Sequence, residues 1–352
     1  MSDQIRVDVD EARGLCITAY QRHGVPADDA ALAAEQFILC DLLGIPTHGL
    51  RRLSNYIGRI EIGGINPKPD IRVSSRLPAV AVVEGDGGLG TVIASRGVQE
   101  GIRRAKENGI AYVSCINSNH FGGNASYGWQ ASEAGLVCIS GSNGTPTIAA
   151  PGGKTPAIGN NPIGYAAPGP DGRHFILDMA LSIASRGKLR ALRDKGLPIA
   201  EGVALDKDGL PTTDAGAALE GFVLPIGGHK GYGLATAIDM LSAVLGGGGI
   251  GPGIRHQFKQ PDQPSNVSQF FLMIDPAATV GQDAFQQNIM DFADWIHAQP
   301  AVDPAQPGRL PGEAAAERMA HNRVEGIPMT ADEYDRLCGL ADGTLSGVVP
   351  ES

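Results

Sequence analysis

Long apolar runs are missing from this 352-residue chain. None approaches the roughly 20 residues that a membrane-spanning helix needs. The nearest, LATAIDMLSAVLGGGG, carries Asp239 and dissolves into glycines. Positive charge is also short, with 28 Lys and Arg against 38 Asp and Glu and a net charge of −10. Such a balance excludes a nucleic-acid or anionic-membrane surface, since both need clustered cations. Cysteines are few and odd in number (Cys16, Cys40, Cys115, Cys138 and Cys338), with no C-x-x-C pair. They indicate neither a disulfide framework nor a zinc knuckle. The eight histidines form no H-x-x-x-H or H-E-x-x-H and pair with no cysteine at ligand spacing, so no metal is expected. G-x-S-x-G is absent, and with it the nucleophile elbow. The polar start, MSDQIRVDVDEARG, lacks a signal peptide's apolar stretch. The expectation is a cytoplasmic protein with no membrane or nucleic-acid partner.

Glycine, by contrast, is abundant: 49 residues, about twice the usual share of roughly 7%. The excess lies between residues 85 and 253, among short apolar runs. Apolar residues at 42% and charged residues at 19% allow a sizeable core. The length suits two or three domains, or one large α/β body with an appendage. Apolar spacing predicts helices over 8–24, 26–44 and 48–62, then a Pro-containing connector over 66–76. AVAVVEG (79–85) and IAYVSCI (110–116) read as strands flanking a helix. From 136 to about 280 short strands (LVCISGSN, FILDMA, GFVLPIGG and QFFLMID) alternate with Gly/Pro/Asn turns, interrupted by helices near 181–196 and 231–245. The tail after 282 is helical again, and Thr330-Ala331-Asp332-Glu333 has the form of a capping box. We therefore expect a helical domain from 1–70 with about 283–352, around a β-rich domain over 71–282.

Gly85-Asp86-Gly87-Gly88-Leu89-Gly90 fits G-x-G-x-x-G between a strand and a helix. A dinucleotide fingerprint also needs an acid about 20 residues on, ending the next strand. That strand ends in Asn117 and Ser118, so a glycine-rich turn is the better reading. More chemistry lies in Thr47-His48-Gly49-Leu50-Arg51-Arg52 and on to Tyr56. On a helix, His48, Arg52 and Tyr56 would share one face, with Thr47 as N-cap. The helix dipole would then favour neutral His48, and Arg52 would grip a carboxylate in two-pronged fashion. A solvated helix face is an equal reading of those residues alone. His120 follows the end of strand 110–116, where α/β proteins commonly bind ligands. His229 and Lys230 stand where a strand runs into a helix, a position suited to an anion. Asp178 is either a ribose contact or a helix cap.

THGLRRLSNYIGRIEIGGINPKP, NSNHFG, PGGKTPAIGNNPIGYAAP, ILDMALSIASRGKLR, LPIGGHKGYGLATAIDMLSAVL and LPGE occur in that order. Together they resemble the type-2 malate/L-lactate dehydrogenase family across about residues 8–340. The resemblance implies a mixed α/β fold that is not Rossmann, a β-rich cofactor-binding core with helical flanks, and no metal. It implies hydride transfer between NAD or NADP and a small 2-hydroxy or 2-oxo acid, in a homodimer. His48 matches the family's proton donor or acceptor, Arg52 its carboxylate clamp, and Tyr56 the same face. His120 matches a histidine given the proton role in some members, and Asn160 the place of a substrate-contacting threonine. Ile176, Leu177, Asp178, Met179, Ala180, Leu181, Ser182, His229, Lys230, Pro311, Gly312 and Glu313 match segments that contact the dinucleotide. Thr47 replaces the usual serine. Lys188 stands where the family's cyclic ketimine reductases carry an aspartate, which counts against imine reduction; that reading is the alternative, and a non-catalytic binding protein a further one. Asp178 would repel a 2′-phosphate whereas Arg186 or Lys188 would attract one, and the lean is to NAD.

Overall fold

The computed structural model describes residues 4–348. The chain opens with β1 (Gln4–Val7), α1 (Val9–Arg22), α2 (Ala27–Leu42) and α3 (Leu53–Glu61). Asp8 caps α1 by accepting from the amides of Asp10 and Glu11. Next come β2 (Arg72–Leu77), β3 (Val80–Glu84), α4 (Gly90–Asn108), β4 (Ile110–Ser118), α5 (Asn124–Glu133) and β5 (Val137–Ser142). The glycine-rich middle supplies β6 (Ile148–Ala149), β7 (Pro156–Ile158), β8 (Ile163–Ala167) and β9 (Phe175–Met179), then α6 (Arg186–Asp194), β10 (Ala204–Leu205), β11 (Pro211–Thr212), α7 (Ala215–Glu220) and β12 (Phe222–Val223). The chain continues with α8 (His229–Asp239), which runs into a π-helical turn over Met240–Val244, then β13 (Val267–Ile274) and α9 (Gln282–His297). It ends with α10 (Glu313–Glu325), β14 (Ile327–Thr330) and α11 (Ala331–Asp342).

Seven strands form one sheet in the order β2-β3-β4-β13-β5-β8-β9. Only β3 and β4, joined through α4, run parallel; every other neighbouring pair is antiparallel. Parallel βαβ units therefore do not repeat, and the fold is mixed α/β without a Rossmann sheet. β13 explains how both faces are covered. Its sequence, VSQFFLMI, is apolar on both sides of the pleat, as expected for a strand buried front and back. Phe271 packs towards Tyr127 of α5, with ring centroids 5.7 Å apart. Phe270, one residue earlier, joins Leu181, Ala235 and Ile238 on the opposite face, under α8. A separate small cluster of Ile148, Leu189, Ile199, Ala204, Ala218 and Val223 holds the β11-β10-β12 sheet with α6 and α7.

Three expectations need correction. The 66–76 connector runs into a strand, β2, whose six residues are all exposed, so no burial pattern marks it. GFVLPIGG shrinks to Phe222–Val223, because Pro225 has no amide to continue a ladder. The helix expected over 181–196 begins at Arg186, where the Ser185 hydroxyl accepts from the Lys188 amide. The capping box is present: Thr330 and Glu333 bond each other's backbone amides.

Gly85–Gly90 proves to be a packing device. The side-chain amide of Asn119, beside His120, donates to the carbonyls of Gly87 and Gly88 at 2.8 and 2.9 Å. A Cβ on Gly90 would overlap the carbonyls of Asn119 and His120. Gly90→Ala is therefore expected to lower stability by about 1–3 kcal/mol, as overpacking of a closed site does. Denaturant unfolding measures this; no change would mean that α4 does not abut the His120 turn.

Candidate active site

The continuous helix expected over 48–62 does not form. A 3-10 turn at Pro46–His48 is followed by Gly49 in extended conformation (φ −92°, ψ −154°), a second 3-10 turn at Leu50–Arg52, and only then α3. The cause is Asp41, a buried acid near the end of α2. Its carboxylate accepts the Leu50 amide at 2.8 Å and lies against Gly49, where a Cβ would overlap it. Burial pushes the Asp41 carboxyl up to about 7, against the pull of the Leu50 amide. Thr47 is accordingly not an N-cap. Its hydroxyl lies 3.0 Å from Nδ1 of the neighbouring His48 ring.

The broken helix still brings the predicted residues together. The His48 and His120 rings lie nearly parallel, 5.8 Å apart with a 16° interplanar angle. Tyr56 is buried edge-on against Phe37. Its hydroxyl sits 2.6 Å from Nδ1 of His120 and 2.9 Å from that residue's carbonyl. With a single hydroxyl hydrogen, Tyr56 fits both neutral tautomers of His120: donating to Nδ1, or donating to the carbonyl while Nδ1–H donates back. Arg52 donates its Nε to the Thr47 carbonyl at 2.8 Å. Among the described residues, its two terminal nitrogens have no protein acceptor. Arg51 turns away to Glu333, 2.7 Å distant.

Electrostatics separates the two imidazoles. Burial first and the Arg52 charge second lower His48 to about 4, so the dipole of an unbroken helix is not the cause. His120 is driven well below the ordinary range by burial, with Arg52, His48 and Arg59 adding to it. Both rings are neutral at pH 7. Of the two, His48 is the less strongly depressed.

Sequence reasoning missed the supports of this pair. Arg59, buried in α3, donates to the Asn119 side-chain oxygen at 3.1 Å and to the carbonyls of Gly64 and Gln263. The same Asn119 oxygen accepts the Ser265 amide at 2.9 Å. Two signals were available: Asp41 is the lone charge in the apolar run FILCDLLG, and Arg59 follows Tyr56 by one helical turn.

The matched cofactor segments also converge. Pro311 accepts the Ile176 amide at 3.0 Å, and Gly312 (φ +105°) sits so tightly on the His174 carbonyl that no side chain fits. Leu181 accepts the Ile226 amide at 2.9 Å, which sets the start of α8, with His229 and Lys230, beside Leu181 and Ser182. That helix start has no side-chain cap, follows Gly227 and Gly228 at positive φ, and leaves Lys230 exposed. An uncapped helix start beside a lysine is a position suited to an anion. Asp178 instead accepts the Ala125 amide at 3.0 Å and the Asn124 side chain, holding the start of α5. A Cβ on Gly123 would lie 3.2 Å from Asp178 and 3.7 Å from the His48 Cβ, so β9 passes next to the histidines. Asn160 sits beside this strand, its carbonyl accepting the Leu181 amide at 2.9 Å. Among the described residues no three His, Cys, Asp or Glu gather as a metal site.

Comparison with known proteins covers nearly the whole chain. The family described as malate/L-lactate dehydrogenase matches residues 7–338. L-sulfolactate dehydrogenase of Methanocaldococcus jannaschii is 39% identical over 326 residues, 92% of each chain. A solved sulfolactate dehydrogenase structure from that organism superposes with a TM-score of 0.87 at 35% identity, over 96% of this chain and 97% of the other. Malate dehydrogenase of Pyrococcus horikoshii is 38% identical, over 96% of this chain and 95% of its own. A delta1-piperideine-2-carboxylate reductase structure from Pseudomonas syringae reaches a TM-score of 0.86 at 26% identity, over 96% of this chain and 99% of that one.

The Asp41 contact generates a stability prediction. Asp41→Ala leaves the Leu50 amide buried without an acceptor and is expected to cost about 1–3 kcal/mol in urea unfolding. Asp41→Asn keeps an acceptor oxygen and should cost less. Equal losses would show that the hydrogen bond is not what holds the turn.

Proposed function

The chain belongs to the malate/L-lactate dehydrogenase family, and on that premise we propose that it interconverts a small 2-hydroxy acid and its 2-oxo acid with a nicotinamide dinucleotide. The observation that carries this reading is a pair of parallel imidazoles beside an arginine with both outer nitrogens free. When bound, the nicotinamide accepts hydride in oxidation and supplies it in reduction. The protein binds, orients and moves one proton. Arg52 takes the substrate carboxylate in a two-pronged grip, which orients the C2 oxygen towards the histidines. His48, neutral at pH 7, accepts the hydroxyl proton in oxidation and returns it in reduction. His120 stays neutral and hydrogen-bonds the same oxygen, its ring held by Tyr56. Segments 176–182, 229–230 and 311–313 hold the dinucleotide.

The lean to NAD rested on Asp178, and that carboxylate is engaged with α5. A homodimer suits the outer face of α8, where Leu234, Ala237, Met240 and Val244 form an exposed apolar stripe at helical spacing. Met240→Glu combined with Val244→Glu should convert the dimer to monomer in light scattering. An unchanged mass would remove this stripe as the interface.

A panel of pyruvate, oxaloacetate, sulfopyruvate and a cyclic imino acid, each with NADH and NADPH, tests the reaction. Turnover of the oxo acids is expected. Turnover of the imino acid alone would establish the ketimine reading, and dinucleotide binding without any turnover would mark a binding protein. His48→Ala should lower kcat by about 100-fold or more; if His120→Ala alone does so, the two histidines exchange roles. Arg52→Lys should raise KM and lower kcat through lost orientation, while Arg51→Lys, which keeps the Glu333 pair, changes little. In oxidation the base must be unprotonated, so kcat/KM should fall as pH drops through the His48 value of about 4. Arg52→Gln removes a cation that lowers His48, so the acid limb should move to higher pH. A limb that stays in place would sever the two residues.

A further inference from the structure

Three cations and an imidazole gather where α6 meets the loop over 255–260. Arg186 and Arg190 stand one helical turn apart on α6, a like-charged spacing that is unfavourable in isolation. The Arg190 guanidinium lies over the Phe258 ring, 4.9 Å from its centroid. His256 packs against the same ring at 5.6 Å. The amides of Phe258 and Lys259 point onto Nδ1 of His256 at 3.1 and 3.3 Å, so the neutral ring carries its hydrogen on Nε2 as a donor. Arg186 is half-buried; it donates one terminal nitrogen to the Leu219 carbonyl, while its Nε is buried without an acceptor. Burial lowers His256 to about 4, and Lys259, Arg186 and Arg190 all add to that effect. Among the described residues, no carboxylate forms an ion pair with Arg186, Arg190 or Lys259. Three permanent cations and a donor imidazole thus face one another with no counter-charge.

We propose that Arg186, Arg190, His256 and Lys259 form a binding site for a phosphate-type dianion. Two guanidinium forks, an ammonium and an imidazole N–H supply donors from several directions, which suits a tetrahedral oxyanion with several acceptor oxygens. A bound dianion converts the mutual repulsion into attraction. Two sources share this chemistry. One is the 2′-phosphate of NADP, because Arg186 lies four residues beyond Ser182 at the end of a dinucleotide segment. That source rests on the nicotinamide reading. The other is free inorganic phosphate, which does not.

Thermal unfolding and calorimetric titration of the full-length protein with inorganic phosphate, NAD and NADP, at fixed ionic strength with chloride as the control, test the site. Phosphate is expected to raise the unfolding midpoint saturably. Arg190→Gln combined with Lys259→Gln should weaken phosphate binding about tenfold or more, while leaving NAD affinity unchanged. Lys259→Gln alone, on an exposed loop residue, decides the matter if the double variant is unstable. Displacement of phosphate by NADP but not by NAD identifies the 2′-phosphate as the occupant; joint binding of phosphate and NADP identifies free phosphate. Equal responses to phosphate and to NADP in wild type and variants, or no response at all, would overturn the site. Failure of NAD to bind would count against the nicotinamide reading and leave the phosphate result standing.

Discussion

One hydrogen bond shapes the catalytic edge of this protein: the buried Asp41 carboxylate accepting the Leu50 amide. Without it, a continuous helix from residue 48 would present His48 and Arg52 on a single helical face. With it, the chain turns twice in seven residues, and Gly49 is needed because the carboxylate fills the space of a side chain. The turn faces the His48 ring towards His120 and lets Arg52 anchor its Nε on the backbone, leaving its fork open. A buried acid is costly in itself. Here the cost is offset by the backbone amide that it satisfies.

The second half of the site is held from the sheet. His120 leaves the end of β4 beside Asn119, whose side chain bonds the glycine-rich turn, Arg59 of α3 and the Ser265 amide. A single buried amide therefore ties the start of α4, the helix carrying Tyr56, and the entry to β13 to one position. Placing an imidazole on such a rigid junction, with Tyr56 against its Nδ1, fixes the position of the ring. β9 passes Gly123 close to His48, and its Asp178 holds the start of α5. Structural demands and the demands of the site fall on the same residues.

Much of the fold was legible in the sequence. The helical ends, the strands around α4, the capping box at Thr330 and the buried strand QFFLMID all follow from apolar period and capping chemistry. What was not legible had little local signal. β2 is exposed throughout, while β1 and β14 are four-residue strands that exist only by pairing across the whole chain. The order of the main sheet, with β13 inserted between β4 and β5, is a long-range choice that no window of sequence encodes.

The site divides in the same way. Sequence by itself determined which groups are present: His48, Arg52, Tyr56 and His120 as the polar residues of two short motifs, on a glycine-rich chain of net negative charge. Tertiary structure alone decided their relation. It broke the helix expected to align them, set Asp178 against the start of α5, and made the G-x-G-x-x-G loop a contact for Asn119. The physical reason is range. Period and capping act within a few residues of chain, whereas burial of a carboxylate, the approach of two imidazoles and the lowering of their basicity by burial depend on groups distant in sequence that only packing brings within a few ångströms.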